Sequence, residues 1–278
     1  MPITVDQIAN ALATNSSRLV IDKASLANAV AGQLFSMWRA TGQPGQGAIP
    51  TTAVVPTKAL AGALQFDNQT APVSSYLAWL SLVTSNNAMG FEIHDRIAHQ
   101  AGLVLNVTTA QTTNLPIDLQ TLAPPAARLG AANYSDVQWF LDVYADGGAT
   151  AANLTVPVTY DDGSTGNLNP IAVGGTLRAG RRIPLTPFIP TAQQGRFIRA
   201  INSGVILSAS TTVAGNFGFT CTRQRTMFGV AIANLPTEKD WAAMGFPETP
   251  NDACLEIVAV CSTTSTGTLR GQGKIAHI

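Results

Sequence analysis

Apolar and polar positions alternate most cleanly in two runs near the middle of the chain. In residues 136–144, Val137, Trp139, Leu141 and Val143 fall on one face of a period-2 chain. In residues 153–160, Leu154, Val156, Val158 and Tyr160 do the same. The runs are bounded by Asp146-Gly147-Gly148 and Asp161-Asp162-Gly163, so they predict two half-buried antiparallel strands forming a central hairpin. A sheet with one apolar face needs a second layer to cover it. Further strand-like runs supply one: Ser75–Thr84, Ala88–Ile93, Gly102–Thr109, Asn167–Val173, Ile183–Phe188, Phe197–Asn202, Val205–Ser210, Gly215–Arg223, Ala253–Cys261 and Gly267–Ile275. Short strands at this spacing predict a mainly β fold, an antiparallel, jelly-roll-like β-sandwich with Trp139, Leu141, Val156 and Val158 inside. Residues 115–130 carry three prolines and read as a surface connection.

Helical periodicity is confined to the ends. Thr4-x-x-Gln7 has the spacing of a capping box, with Val5, Ile8 and Leu12 on one face. From Asp22 a second helix is expected, with Leu26, Val30, Leu34 and Trp38 in an i, i+4 stripe widened by Ala27, Ala31 and Phe35. It should stop near Arg39, because residues 41–47 (TGQPGQG) are rich in breakers and read as a linker. The expected organisation is therefore a helical arm and Gly/Pro linker over residues 1–48, then a β-sandwich domain over 49–278. The Leu26–Trp38 stripe would pack either on the chain's own sheet or on a neighbouring subunit. A short helix is also expected from Glu238 to about Met244, with Thr237 as its cap.

Composition sharpens this picture. Charged residues make up 12% of the chain, with 16 basic and 16 acidic side chains, against about 25% charged in ordinary soluble domains. The mean hydropathy is +0.17. A surface so poor in charge is a poor colloid, and it suits a chain whose surface is partly covered by other subunits. No apolar run reaches the ~18 residues of a membrane span. The N-terminus lacks the basic and apolar regions of a secretory signal, so synthesis in a cytoplasm is expected. Cys221, Cys254 and Cys261 form no CxxC pair and are expected to be buried free thiols.

Candidate chemistry is sparse. Glu92, His94, Asp95 and His99 match no zinc spacing, and on a strand they divide between two faces. No GxSxG elbow occurs, and Asp161-Asp162-Gly163 lacks the alternating ligands of a calcium loop. No catalytic, cofactor or metal residue is therefore assigned, and an enzyme is not expected.

The distribution of charge carries more. Between Gly163 and Thr237 there is no acid and no lysine, but there are seven arginines: Arg178, Arg181, Arg182, Arg196, Arg199, Arg223 and Arg225. Six acids lie in Asp118–Asp162 against one base, Arg128. Arginine suits fixed, bidentate pairing with carboxylates. The favoured reading pairs the two segments within or between subunits, and these arginines join the Leu26–Trp38 stripe as candidate interface residues. Contact with another acidic protein or with nucleic acid are the alternatives, and zero net charge speaks against nucleic acid.

Three stretches resemble a family of virion structural proteins of tailed bacteriophages. They are residues 37–50 (MWRATGQPGQGAIP), 95–103 (DRIAHQAGL) and 252–272 (DACLEIVAVCSTTSTGTLRGQ). The resemblance covers roughly residues 37–278 and brings no known chemistry with it. It implies a particle subunit, first a capsid decoration (cement) protein, with a collar, head–tail or tail position as the alternative. Its partners would be the major capsid protein or other virion proteins and further copies of itself, a trimer being plausible. It would be made in the bacterial host cytoplasm and located in the virion. A carbohydrate-binding β-sandwich of a tail or fibre is the remaining alternative, with Trp139 or Phe140 as the exposed aromatic.

Overall fold

The structure is a computed structural model that describes residues 3–27, 29–175 and 177–278. Helix α1 (Val5–Thr14) is followed by strands β1 (Ser16–Lys23), β2 (Leu34–Ser36), β3 (Gly42–Gln43), β4 (Ser75–Thr84), β5 (Met89–Leu103) and β6 (Ile117–Asp118). Two single-turn helices, α2 (Leu119–Leu122) and α3 (Ala126–Leu129), lead to β7 (Gln138–Ala145), β8 (Ala152–Thr155) and β9 (Pro157–Tyr160). Next come β10 (Thr165–Asn167), β11 (Ile171–Val173), β12 (Arg181–Pro184), β13 (Ile198–Ile201), β14 (Ile206–Leu207) and β15 (Asn216–Val230). The chain ends with β16 (Thr237–Asp240), helix α4 (Trp241–Met244), β17 (Leu255–Val260) and β18 (Leu269–His277). The mainly β, antiparallel expectation and the short N-terminal helix are met.

The chain divides into two compact units, with the boundary falling inside β5 and inside β15. The first comprises Met1–Ala48, Thr57–Asp95 and Gln224–Ile278, the second Ile49–Pro56 and Arg96–Arg223. In the first unit a five-stranded sheet runs in the order β16-β4-β18-β1-β3. β17 pairs with β2 on one side and with Gly90–Asp95 of β5 on the other. Its core includes Leu19, Ile21, Phe35, Leu80, Leu82, Phe91 and Ile257. In the second unit β7 lies between β12 and the Asn216–Thr222 part of β15. Two smaller sheets have the orders β10-β9-β13-β6 and β11-β8-β14. Their shared core includes Trp139, Leu141, Leu154, Val156 and Val158, all at most 2% exposed.

Alternation locates the strands, but β7 is buried on both faces rather than half-buried, with Phe140, Asp142 and Tyr144 at 1%, 3% and 6% exposure, and the pairing differs from the expected one. The two central runs are strands, but they do not form a hairpin. β7 pairs with β12 and β15, whereas the return splits at Val156 into β8 and β9, each in its own sheet. Period-2 patterning fixes which face is buried and leaves the pairing partner open. Residues 115–130 are also more than a surface connection: they form β6, α2 and α3, and Arg128 there is 1% exposed. Thr237–Asp240 is strand, and only Trp241–Met244 is helical, capped by Asp240, whose carboxylate accepts from the amide of Ala243.

The second N-terminal helix does not exist. Residues 16–23 form β1, paired over its whole length with β18, and its burial alternates with period 2. The segment that follows bends through β2 and a single 3-10 turn at Met37–Arg39. Of the expected stripe, Trp38 and the flanking Phe35 are buried, whereas Leu26 and Leu34 are half-buried and Val30 is 37% exposed. The glycines after it are not a linker. A Cβ at Gly47 would come within 2.2 Å of the Trp38 ring, and one at Gly62 within 2.5 Å. The indole N–H donates to the carbonyl of Ala48 at 2.8 Å. Lys23 is buried at the end of β1, and its ammonium donates to the carbonyls of Ala40 and Pro44 at 2.9 and 2.8 Å. Burial draws its pKa down to about 8. The residues expected to form a detachable arm are thus built into the first unit's sheet and core.

Candidate interaction surfaces and the arginine–aspartate network

Six of the seven arginines of the acid-free segment meet a carboxylate. Arg178 pairs with Asp146 at 3.0 Å, Arg196 with Asp162 at 2.8 Å, Arg199 with Asp118 at 3.3 Å and Arg223 with Asp136 at 3.1 Å. Arg182 pairs with Asp142, and Arg225 with Asp95. Five of these six acids belong to the Asp118–Asp162 segment, so the charge complementarity read along the sequence is satisfied within the chain. Arg181 is the exception. It has no carboxylate partner among the described residues, and burial lowers its pKa.

Two of the pairs are buried. β12 lies beside β7 with Arg182 opposite Asp142, so the side chains leave neighbouring strands on the same face. Arg182 Nε and Nη2 reach Asp142 Oδ1 and Oδ2 at 2.7 and 2.8 Å. Arg96, absent from the sequence-based candidates, donates to Asp142 Oδ2 at 2.8 Å, to the Tyr144 hydroxyl at 2.7 Å and to the Thr220 hydroxyl at 2.8 Å. The Thr220 hydroxyl in turn donates to Asp142 Oδ2 at 2.6 Å. Burial pushes the Asp142 carboxyl up, but Arg182, Arg96 and these hydrogen bonds outweigh it and hold the carboxyl below its usual range. Burial raises Tyr144 to about 12. His99 is driven well below its ordinary value, first by burial and then by Arg96, with Asp142 opposing. Arg128 donates to the carbonyls of Pro56 and Arg96 at 2.9 and 2.7 Å. In the first unit, Asp95 accepts from Arg225 at 3.0 Å and from the amide of Cys254 at 2.9 Å.

The signal for Arg96 was in the sequence: residues 91–101 contain no Gly, Pro, Asn or Ser, and the strand expected to end at Ile93 continues through Arg96 to Leu103. Glu92, His94, Asp95 and His99 all lie on β5. His94 Nε2 and a Glu92 carboxylate oxygen are 2.8 Å apart. Cys221, Cys254 and Cys261 are buried and form no disulfide among the described residues. A third buried polar cluster sits where β1, β4 and β18 meet. The Ser17 hydroxyl donates to Asp67 at 2.9 Å, so it must accept from His277 Nε2, also at 2.9 Å. His277 Nδ1 is then the acceptor for the Ser75 hydroxyl at 2.9 Å. Burial lowers the His277 pKa, with Lys58 adding to the shift and Asp67 opposing it.

Trp139 and Phe140 are 2% and 1% exposed, so neither offers a ring for a sugar to stack on. The Trp139 indole N–H donates to the carbonyl of Ile198, and the Arg182 guanidinium lies 5.0 Å from the Phe140 ring centre. A groove of about 440 Å³ in the second unit has Val137, Trp139, Ile189 and Phe197 in its lining and Arg196 at its rim. The first unit carries a shallower, more apolar depression of about 510 Å³ lined by Ala88, Met89, Gly90, Met227, Phe228 and Val230. Met227 is 59% exposed, and Ile232 and Leu235 on the following loop are 57% and 52% exposed. The loop lies against the depression, since the amide of Ala88 donates to the carbonyl of Ala231 at 3.0 Å. An apolar surface of this kind marks a contact site more often than chance would place one.

No protein-family model matches the chain, and no curated protein matches it. Among solved structures it is similar to the VP2 subviral particle of infectious bursal disease virus, at 10% identity over 95% of this chain and 79% of that chain, with a TM-score of 0.18. A structure of the Gt strain of the same virus gives 11% identity, coverage of 95% and 80%, and a TM-score of 0.18. Both are structures of a virus or its particle.

Proposed function

We propose that the chain is a non-enzymatic structural subunit of a tailed-phage virion. It acts as a capsid decoration protein that stabilises the particle through contacts with the major capsid protein. The observation that carries the reading is the exposed apolar surface of Met227, Ile232 and Leu235 beside the depression at Met89 and Gly90. Such residues on a chain with 12% charge gain most by being covered. The family resemblance of residues 37–50, 95–103 and 252–272 supports a virion location. The fixed arginine–aspartate pairs support a rigid subunit, because each is satisfied without a partner molecule.

Native mass measurement with and without the shell protein tests the proposal. The expected result is a complex of defined stoichiometry with assembled shells. Binding to collar or tail proteins instead would move the subunit to that part of the particle. No association with any virion protein would contradict the reading.

A further inference from the structure

The five-stranded sheet buries one face in the first unit's core and leaves part of the other open. The register places the outward side chains in rows. Asp240, Trp79, Lys274 and Arg18 form one row across β16, β4, β18 and β1. Glu238, Ser81, Gln272 and Val20 form the next, and Val83, Arg270 and Asp22 a third. Helix α1, with Trp241 and Phe246 beside it, covers the end of the sheet from Lys274 outwards, where Ala11 packs with Ala78 and Ala276. In the remaining rows Arg18, Val20, Asp22, Arg270, Gln272, Glu238 and Asp240 are exposed and Trp79, Ser81 and Val83 half-buried. Arg270 and Asp22 neutralise each other at 3.3 Å. The Lys274 ammonium is turned to the carbonyl of Leu12 on α1, at 2.7 Å. The exposed charges left are positive on β1, from Arg18, and negative on the β16 edge, from Glu238 and Asp240.

We infer that this face docks a second copy of the chain, face to face, about a two-fold axis parallel to the strands and passing between β4 and β18. Such an axis reverses the strand order while keeping each row in register. Arg18 of one copy then faces Asp240 of the other, one row from Glu238. This contact occurs twice by symmetry, as in any isologous interface. Stacked sheets lie about 10 Å apart, a gap that long side chains of this kind fill. The occupant is a copy of this chain because the charge pattern is complementary to its own rotated image. The inference does not depend on a virion role, since it is argued from the charges of the sheet face alone.

Sedimentation of the full chain tests it with two charge reversals, Arg18→Glu and Glu238→Arg. Glu238 is chosen because Asp240 caps α4 and its loss would confuse folding with association. The wild type should show a concentration-dependent dimer, and each variant alone should associate on the order of tenfold more weakly or not at all. An equimolar mixture of the two variants should recover a mixed dimer. In it the two reversed charges meet across the interface with opposite signs, and the symmetry-related contact on the other side of the axis is that of the wild type. Circular dichroism of each variant establishes that it is folded, and recovery on mixing can come only from folded chains. A monomeric wild type, variants that dimerise as the wild type does, or a mixture that stays monomeric would each overturn the inference.

Discussion

Arg182 holds Asp142 through two parallel hydrogen bonds, Nε to Oδ1 at 2.7 Å and Nη2 to Oδ2 at 2.8 Å, across adjacent strands and away from water. With Arg96 and Thr220 on the same carboxylate, the second unit's interior contains a polar network tying β5, β7, β12 and β15 together. Such a network is costly to break, because removing one member leaves the others buried and uncompensated.

Asp142→Asn should therefore destabilise the second unit by about 3–5 kcal/mol, the usual cost of breaking a buried pair. Arg178→Ala, which removes a partly exposed pair, should cost about 0–1 kcal/mol. Urea unfolding followed by tryptophan fluorescence distinguishes the two. Equal losses would show that the burial of the network contributes nothing.

Leu141 is fully buried beside Trp139 in the same strand. Leu141→Asp places an unpaired charge in that core and should cost several kcal/mol, on the order of the largest single-site effects. A variant with the parent's thermal midpoint would show that β7 does not pack as described.

Acid should weaken the fold in two stages. His99 and His277 both have folded pKa values below the ordinary 6.5, so the folded state resists a proton that the unfolded chain accepts. Their contribution is complete above 6.5 and is lost as pH falls from there towards their folded values. The Asp142 carboxyl is also held below its ordinary 3.8, so its contribution is complete above that value and is lost at lower pH, through its folded pKa. Thermal midpoints measured between pH 8 and pH 3 (roughly the span of both stages) should fall below pH 6.5. His277→Asn should flatten the first stage. A midpoint independent of pH through this range would contradict both assignments.

Removing residues 1–39 should unfold the first unit. The deletion takes away β1, which is paired with β18 along its length, together with Lys23 and Trp38. A truncated chain that keeps the far-ultraviolet spectrum and melting of the parent would restore the idea of a detachable arm.

How much of this was legible in the sequence depended on the range of the interaction. The bounds of β4 and the Trp139–Leu141–Val143 face of β7 followed from alternation, because both are local properties of the chain; the burial of the opposite face, with Phe140 and Asp142, depends on long-range packing. The arginine–aspartate pairing was legible as a class of contact, from seven arginines facing an acid-rich segment. Which pair would be buried was not, since Arg181 and Arg182 are adjacent and only the register of β12 against β7 selects Arg182. The Leu26–Trp38 stripe misled because i, i+4 spacing says nothing about the long-range pairing of Leu34–Ser36 with β17, more than 200 residues away. Local propensity gave way there to a tertiary contact. The open face of the five-stranded sheet was hidden for the same reason, because its rows are assembled from β1, β4, β16 and β18.

The proposed structural role in a virion is tested most directly by quantitative mass spectrometry of phage particles purified from cultures that produce the chain. The account predicts this protein in a fixed copy number relative to the major capsid protein, retained through a density gradient. Its absence from gradient-purified particles, with the chain recovered only in the soluble fraction of infected cells, would contradict the account.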